Sequence, residues 1–327
     1  MKYKNISLKL MTVTACLLST QALAATNYPD RPVTLVIGFT AGGPTDIVGR
    51  YLAKGLEQEL GQTVVVENKP GATGVVALQS VKKAKPDGYT LMLGSSSTLS
   101  IEPVYKKNVT YDVQKELVPI GLVASYPYLL VVPESSPYKS VNELIKGARD
   151  NPGKLTFASA GNGAVNHLAG EWFKFETKTD LNHIPYKGDS AAITDLSAGR
   201  VNMAFLSIIA SNPLLESGKM RALAIASEEK SPLKPELNSV AEEIGVQGFS
   251  AEPWNGVLGP AGIPDEIVTK LNKAITKVMS TEDARLKLFE LGQIPFTGSA
   301  QDFNNHIQSQ MTRWDNVINT ANIERVE

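Results

Sequence analysis

The sequence predicts an α/β chain of two lobes, each a mostly parallel sheet flanked by helices. Three observations carry this reading. Apolar strand-like runs alternate with helix-period segments from Tyr28 onward, the pattern of parallel sheets. A strand that breaks at glycine and turns into a helix occurs twice, at Gly42-Gly43 and at Gly161-x-Gly163. A chain of 327 residues is also longer than one hydrophobic core usually serves.

Residues 1–24 read as a signal peptide. Lys2, Lys4 and Lys9 form a positive start, Leu10–Leu18 is apolar but too short to span a membrane, and Ala22-Leu23-Ala24 is an A-x-A cleavage site. A second reading, ranked below it, is lipoprotein processing at Val13-Thr14-Ala15-Cys16. Either way the chain is exported. Cleavage near Ala24 removes the only cysteine, so the mature chain has no disulfide, thiol nucleophile or thiolate metal ligand. It also leaves 29 basic against 33 acidic residues, a net charge of −4 that gives no reason to expect a nucleic-acid partner.

In the first lobe, Val33–Ile37 reads as a buried strand. Gly42-Gly43 turns it into a helix opened by Pro44, Thr45 and Asp46 and carried by Ile47, Tyr51, Leu52 and Leu56. Unpaired N–H groups and the positive dipole end then point above the turn, a geometry suited to a small anion. Thr63–Asn68 is the next strand, Val75–Lys83 the next helix, and Tyr89–Leu93 a third strand ending at the hydroxyl run Ser95-Ser96-Ser97-Thr98. Those hydroxyls serve equally as ligand donors or as a plain polar loop. Ser125-Tyr126-Pro127 marks the crossing into the second lobe.

There, Ser140-Val141-Asn142-Glu143 is a capping box opening a helix that Asn151-Pro152-Gly153 stops. Leu155–Ser159 runs through Gly161-Asn162-Gly163-Ala164 into a helix expected to bury Leu168, Trp172 and Phe175 on one face. Strand His183–Tyr186, helix Ser190–Leu196 and strands Val201–Leu206 and Arg221–Ser227 complete the lobe. Ala251–Gly259 leads back, and helices beginning near Asp265, Asp283 and Asp302 should pack on the first lobe. The expected division is 25–124 with 250–327 as lobe one and 125–249 as lobe two.

Motifs for catalysis are sparse. No G-x-S-x-G elbow, P-loop lysine or H-E-x-x-H occurs, and His167, His183 and His306 lie far apart without partners at ligand spacing. No catalytic residue, metal or cofactor is assigned. A triad assembled by folding keeps a hydrolase as a rival reading.

Eight motifs resemble the Bug (TctC-type) substrate-binding proteins of tripartite tricarboxylate transporters. They are Tyr28-Pro29-x-Arg31-Pro32, Phe39-x-Ala41-Gly42-Gly43-x-x-Asp46, Val65–Ala72, Pro86–Leu91, Ser159-x-Gly161-x-Gly163-x-x-x-His167-Leu168, Pro185–Gly188, Gly218-Lys219-x-Arg221–Ala224, and Trp254-x-Gly256 followed by Gly259-Pro260-Ala261. The resemblance implies a type II periplasmic-binding-protein-like fold in the periplasm, a monomer, closing on a small mono-, di- or tricarboxylate or aromatic acid. It also implies a membrane permease as partner; a periplasmic sensor feeding a receptor is the alternative. Two loops, one per lobe, would pinch the carboxylate. The expected ligand-binding residues are Phe39, Thr40, Ala41, Gly42, Gly43, Asp46, Ser95, Ser96, Ser159, Gly161, Asn162, Gly163, Ala164, Asn166 and Asp189. Of these, Asp46 reads first as a first-turn dipole partner or loop brace, with ligand contact as the lesser reading. Asp189 reads first as a helix cap, with contact to a ligand's amino group as the lesser reading. His167 reads as packing. Ala164 departs from the serine common in the family and so lacks a hydroxyl donor.

Overall fold

A computed structural model describes residues 28–327; the signal segment and Cys16 lie outside them. The first part of the chain forms β1 (Val33–Ile37), α1 (Pro44–Leu60), β2 (Val64–Asn68), α2 (Val75–Val81), β3 (Thr90–Ser95), α3 (Glu102–Tyr105), α4 (Val113–Glu116) and β4 (Leu117–Ser125). The middle forms β5 (Tyr128–Pro133), α5 (Val141–Asp150), β6 (Thr156–Ser159), α6 (Val165–Thr177), β7 (Asn182–Pro185), α7 (Asp189–Ser197), β8 (Met203–Ser207), α8 (Ile208–Glu216), β9 (Met220–Ile225) and α9 (Val240–Ile244). The last part forms β10 (Trp254–Pro260), α10 (Asp265–Met279), α11 (Glu282–Glu290), β11 (Ile294–Pro295) and α12 (Ala300–Thr320).

Two mixed sheets result, ordered β11-β4-β10-β3-β1-β2 and β7-β6-β8-β5-β9. Their strand directions decide what the lobes present to each other. β10 runs antiparallel to both β3 and β4, while β1 is parallel to β3, so the carboxyl ends of β1 and β3 share an edge with Ser125, where the chain leaves. In the second sheet β6, β7 and β8 are parallel, and β5 is antiparallel to β8 with Tyr128 opposite Ser207. Their carboxyl ends therefore lie on the edge where the chain enters. The two carboxyl edges meet at the crossing. The outgoing and returning crossings are hydrogen-bonded, Tyr126 N–H to Pro253 O at 2.9 Å and Tyr128 N–H to Ala251 O at 3.1 Å.

Helical spacing explains the layers. Val48, Leu52 and Leu56 bring α1 onto the first sheet beside Leu271 and Ile275 of α10, each such side chain contributing about 1.5–3 kcal/mol of burial. Leu78 of α2 and Phe303 and Ile307 of α12 cover the other face together with Trp254. On the second sheet, Leu144 of α5 and Leu168, Trp172 and Phe173 of α6 line one face, with Leu196 of α7 and Ile208 of α8 on the other.

Four sequence expectations are corrected here. Phe175 is 39% exposed, and Phe173, at 1%, takes the inward position, because the buried stripe of α6 runs through Val165, Leu168, Ala169, Trp172 and Phe173. The hydroxyl run is not a loop: Ser97–Ile101 winds into a wide helical turn that continues as α3. At α5 the Ser140 hydroxyl accepts from Glu143 N–H at 3.2 Å, but the Glu143 carboxylate reaches Lys139 N–H at 2.6 Å, so only half of the capping box forms. Lastly, α12 does not pack on the first lobe alone, since Trp314, Val317 and Ile318 join the core of the second. Its 21 residues span about 30 Å, enough to reach across.

Candidate ligand-binding site

The helix N-termini divide into two groups. α4, α5, α9, α11 and α12 are each capped by a side chain, from Asp112, Ser140, Ser239, Thr281 and Ser299. Seven have no side-chain cap: α2, α3 and α10, whose N-cap positions are Gly74, Ile101 and Pro264, and α1, α6, α7 and α8, whose N-cap positions are Gly43, Ala164, Gly188 and Ser207. The last four helices follow the carboxyl ends of β1, β6, β7 and β8, the edges that meet at the crossing. Among the described residues, the N–H groups of Thr45 and Asp46 in α1, and of Val165 and Asn166 in α6, find no protein acceptor. Helix ends left open in this way carry a positive dipole and orphan donors, which suit an anion.

The first turn is braced from below. Asp46 accepts from Gly42 N–H at 2.9 Å, from Arg50 Nε at 2.9 Å and from Asn68 Nδ2 at 2.8 Å. Burial opposes its charge, yet these bonds together hold the carboxyl below its ordinary value. The Asn68 amide also donates to Phe39 O at 3.0 Å, tying β2 to the turn. Gly42 takes φ +82°, a left-handed conformation that a side chain would strain. Phe39 is half-buried, while Thr40, Ala41 and Gly42 are exposed and Gly43 partly so. Asp46 thus acts as the brace, its oxygens turned to the protein.

The second loop is shaped by its own polar groups. Asn166, fully buried, accepts from Ala160 N–H at 3.1 Å and donates to Asp189 Oδ1 at 3.0 Å. Ser159 Oγ accepts from Gly161 N–H at 3.1 Å and lies 2.6 Å from His183 Nε2. His167 Nδ1 accepts from Gly163 N–H at 3.3 Å. Folding also stacks the two imidazoles, with ring centroids 4.3 Å apart. Burial pushes His167 down to about 3 and His183 to about 4, so both are neutral at pH 7. Ser159 beside His183 has the composition of a nucleophile and base. Its hydroxyl is fully buried and also bonds within the turn, to Gly161 O at 3.3 Å, so the pair holds the loop in shape.

Tyr126 connects the two sides. Its phenol lies beside Thr45 at the start of α1 and within reach of the Asp189 charge at the start of α7. Gln293 donates to Pro44 O at 3.1 Å, and Gly292 packs against Ile208 at the start of α8. Gly163 lies so close to Tyr105 that a Cβ there would sit 2.9 Å from the ring. The structure therefore brings together Phe39–Asp46, Ser159–Asn166 and Asp189 around the crossing.

Ser95 and Ser96 point elsewhere. Thr98 Oγ1 donates to Thr73 O at 2.6 Å, so in the 3.1 Å Ser95–Thr98 contact the hydroxyl hydrogen comes from Ser95. Ser96 Oγ accepts from Trp254 N–H at 3.4 Å. Both serines are nearly fully buried, and their oxygens hold the end of β3 to its surroundings.

Residues 48–323 match the family described as "TctC: Tripartite tricarboxylate transporter family receptor". The chain belongs to this family. Among relatives, it is 33% identical to protein BugT of Bordetella pertussis over 95% of this chain and 96% of that one. A UPF0065 protein from the tcbD-tcbE intergenic region of Pseudomonas sp. strain P51 is 35% identical, over 92% and 89%. Among solved structures, R. palustris Rpa4515 with adipate superposes with a TM-score of 0.85 at 36% identity, over 91% of this chain and 99% of that one. MatC from Rhodopseudomonas palustris with bound malate gives 0.80 at 31%, over 89% and 100%. The TctC family assignment and these neighbours agree with the two-lobed fold read from the sequence.

For a TctC-family chain, three features of the site escaped the sequence. Tyr105 and His183 approach the second loop only through tertiary folding and carry no local signal. Asp189 is not the cap expected of it: Gly188 holds the N-cap position, and the Asp189 carboxylate turns to Asn166.

Proposed function

We propose that the protein captures a small carboxylate between two closing lobes, residues 25–124 with 250–327 and residues 125–249, and delivers it to a tripartite tricarboxylate-type permease in the membrane. The observation that carries the reading is the set of uncapped helix N-termini, α1 on one side and α6, α7 and α8 on the other, on strand edges that meet at the crossing. Main-chain donors held by braced turns surround an anion at little reorganisation cost. Each charge-assisted hydrogen bond to a carboxylate contributes about 1.5–3 kcal/mol. Adipate and malate in the related structures support a carboxylate as ligand. Family membership and the signal-like segment support a periplasmic location, with no chemistry performed on the ligand. The main-chain N–H groups of Gly43, Thr45 and Asp46 on one side and of Asn162, Val165 and Asn166 on the other supply the donors in this reading, and the Asp46 and Asn166 side chains position the two turns.

The test is a thermal-shift and calorimetry screen of mono-, di- and tricarboxylates and aromatic acids, with Gly43→Pro in parallel. Gly43 has φ −80°, within the proline range, so the ring fits at this position and the substitution removes one N–H. The best ligand should bind Gly43→Pro at least about tenfold more weakly, the equivalent of about 1.4 kcal/mol. Equal affinity would place the site elsewhere.

A further inference from the structure

Asp189 poses a problem for a protein that holds anions. Its carboxylate sits at the first position of α7, one oxygen on the Asn166 amide, and among the described residues no cation lies in ion-pair range of it. The groups that face it are amide and phenol: Asn166 from α6, and Tyr126 and Tyr128 from the crossing. Both phenols are raised well above the usual tyrosine range, by burial first and by the Asp189 charge second, so both stay neutral beside the carboxylate. Asn166 also carries the second loop through Ala160, which places Asp189 beside the very donors assigned to the ligand's carboxylate. A second ionised carboxylate on the ligand would add a like charge in a poorly solvated place. A positive group would complete an ion pair that the protein leaves half-made.

We propose that Asp189 is the specificity-determining residue of the cleft and selects a carboxylate that also carries a cationic ammonium group, a small zwitterion, over the unsubstituted acid or the dianion. This rests on the anion-capture reading above. The α-carboxylate takes the main-chain donors, and the ammonium donates to the free Asp189 oxygen. Burial pushes the Asp189 carboxyl up to about 6, so the preference is full at pH 8 and fades toward pH 5 as the group takes up a proton.

The experiment is calorimetry with straight-chain acids of two to six carbons, each beside its α-amino and ω-amino counterparts, on the wild type, Asp189→Asn and Asp189→Ser. In at least one pair the wild type should bind the amino member tenfold or more tightly at pH 8. Both variants should erase that ratio, each amino acid being compared with the plain acid on the same variant. The wild-type ratio should also shrink at pH 5, and those of the variants should not change. If plain acids bind at least as tightly as their amino counterparts throughout, or if the ratio survives in Asp189→Asn, the zwitterion assignment is overturned while anion capture stands. If no acid of either kind binds and Gly43→Pro changes nothing, the anion reading falls and takes this one with it.

Discussion

Ala164→Asp should stabilise the protein and disable it at once. Ala164 occupies the N-cap of α6 with φ −72° and ψ 154°, the conformation a capping side chain requires, yet it has no oxygen to offer. An aspartate there would accept from the open first-turn N–H groups. Filling an empty N-cap contributes about 0.5–2 kcal/mol, or a rise in Tm of about 1–6 °C for a chain somewhat larger than the domains on which the conversion rests. The same carboxylate would occupy donors that the ligand needs and repel its charge. Losing one or two such bonds costs about 1–3 kcal/mol each, so the Kd of the best acid should rise at least about tenfold. Scanning calorimetry and titration calorimetry on one preparation read both effects. Ala164→Asn caps without the charge and should fall between. A variant with raised Tm and unchanged affinity would refute the placement of the anion at α6, and one with unchanged Tm would refute the claim that these N–H groups are open.

Further expectations concern the supporting groups. Asp46→Ala removes the acceptor of Gly42 N–H and unpins Arg50 and Asn68, so it should lower stability by about 1–3 kcal/mol and weaken ligand binding; denaturant melts and titration test both, and an unchanged protein would contradict the brace. His167 and His183 are held neutral, with folded values near 3 and 4 below the ordinary 6.5. The unfolded chain therefore binds more protons as pH falls below 6.5, and the stability these groups contribute drains away toward pH 4. His183→Gln should flatten that slope in a Tm against pH profile. Asp189 behaves oppositely, being raised from 3.8 to about 6 in the folded chain. Its contribution is lost as pH rises through 6, so Asp189→Asn should raise the Tm of the ligand-free protein at pH 7 and leave it unchanged at pH 4.

Much of the architecture could be read from local pattern. The run Val33–Ile37 followed by Gly42-Gly43 and Pro44 states strand, turn and helix in neighbouring residues, and Leu155–Leu168 repeats it, so β1–α1 and β6–α6 were legible. The crossing at Tyr126-Pro127 was legible as well, because proline and a change of apolar period coincide there. What local pattern could not carry was anything settled by distant contacts. Phe173 and Phe175 are equally apolar, and the one that faces inward is the one that joins Phe157, Phe205 and Phe249 in the core of the second sheet. The Ser95–Thr98 hydroxyls suggested a solvated loop, whereas Thr73 O and Tyr111 draw the segment into a helical turn. Asp189 sat where a cap is common, and Asn166, 23 residues earlier, took its carboxylate instead. The meeting of His167 with His183 has the same origin.

The most direct measurement is the amide spectrum of the 15N-labelled protein, titrated with the strongest acid from the screen. Orphan N–H groups that gain an anion should move downfield, and they should do so together at Thr45 and Asp46 on one side and at Asn162, Val165 and Asn166 on the other. Shifts at only one of these sets, or centred on neither, would contradict an anion shared between opposed helix ends.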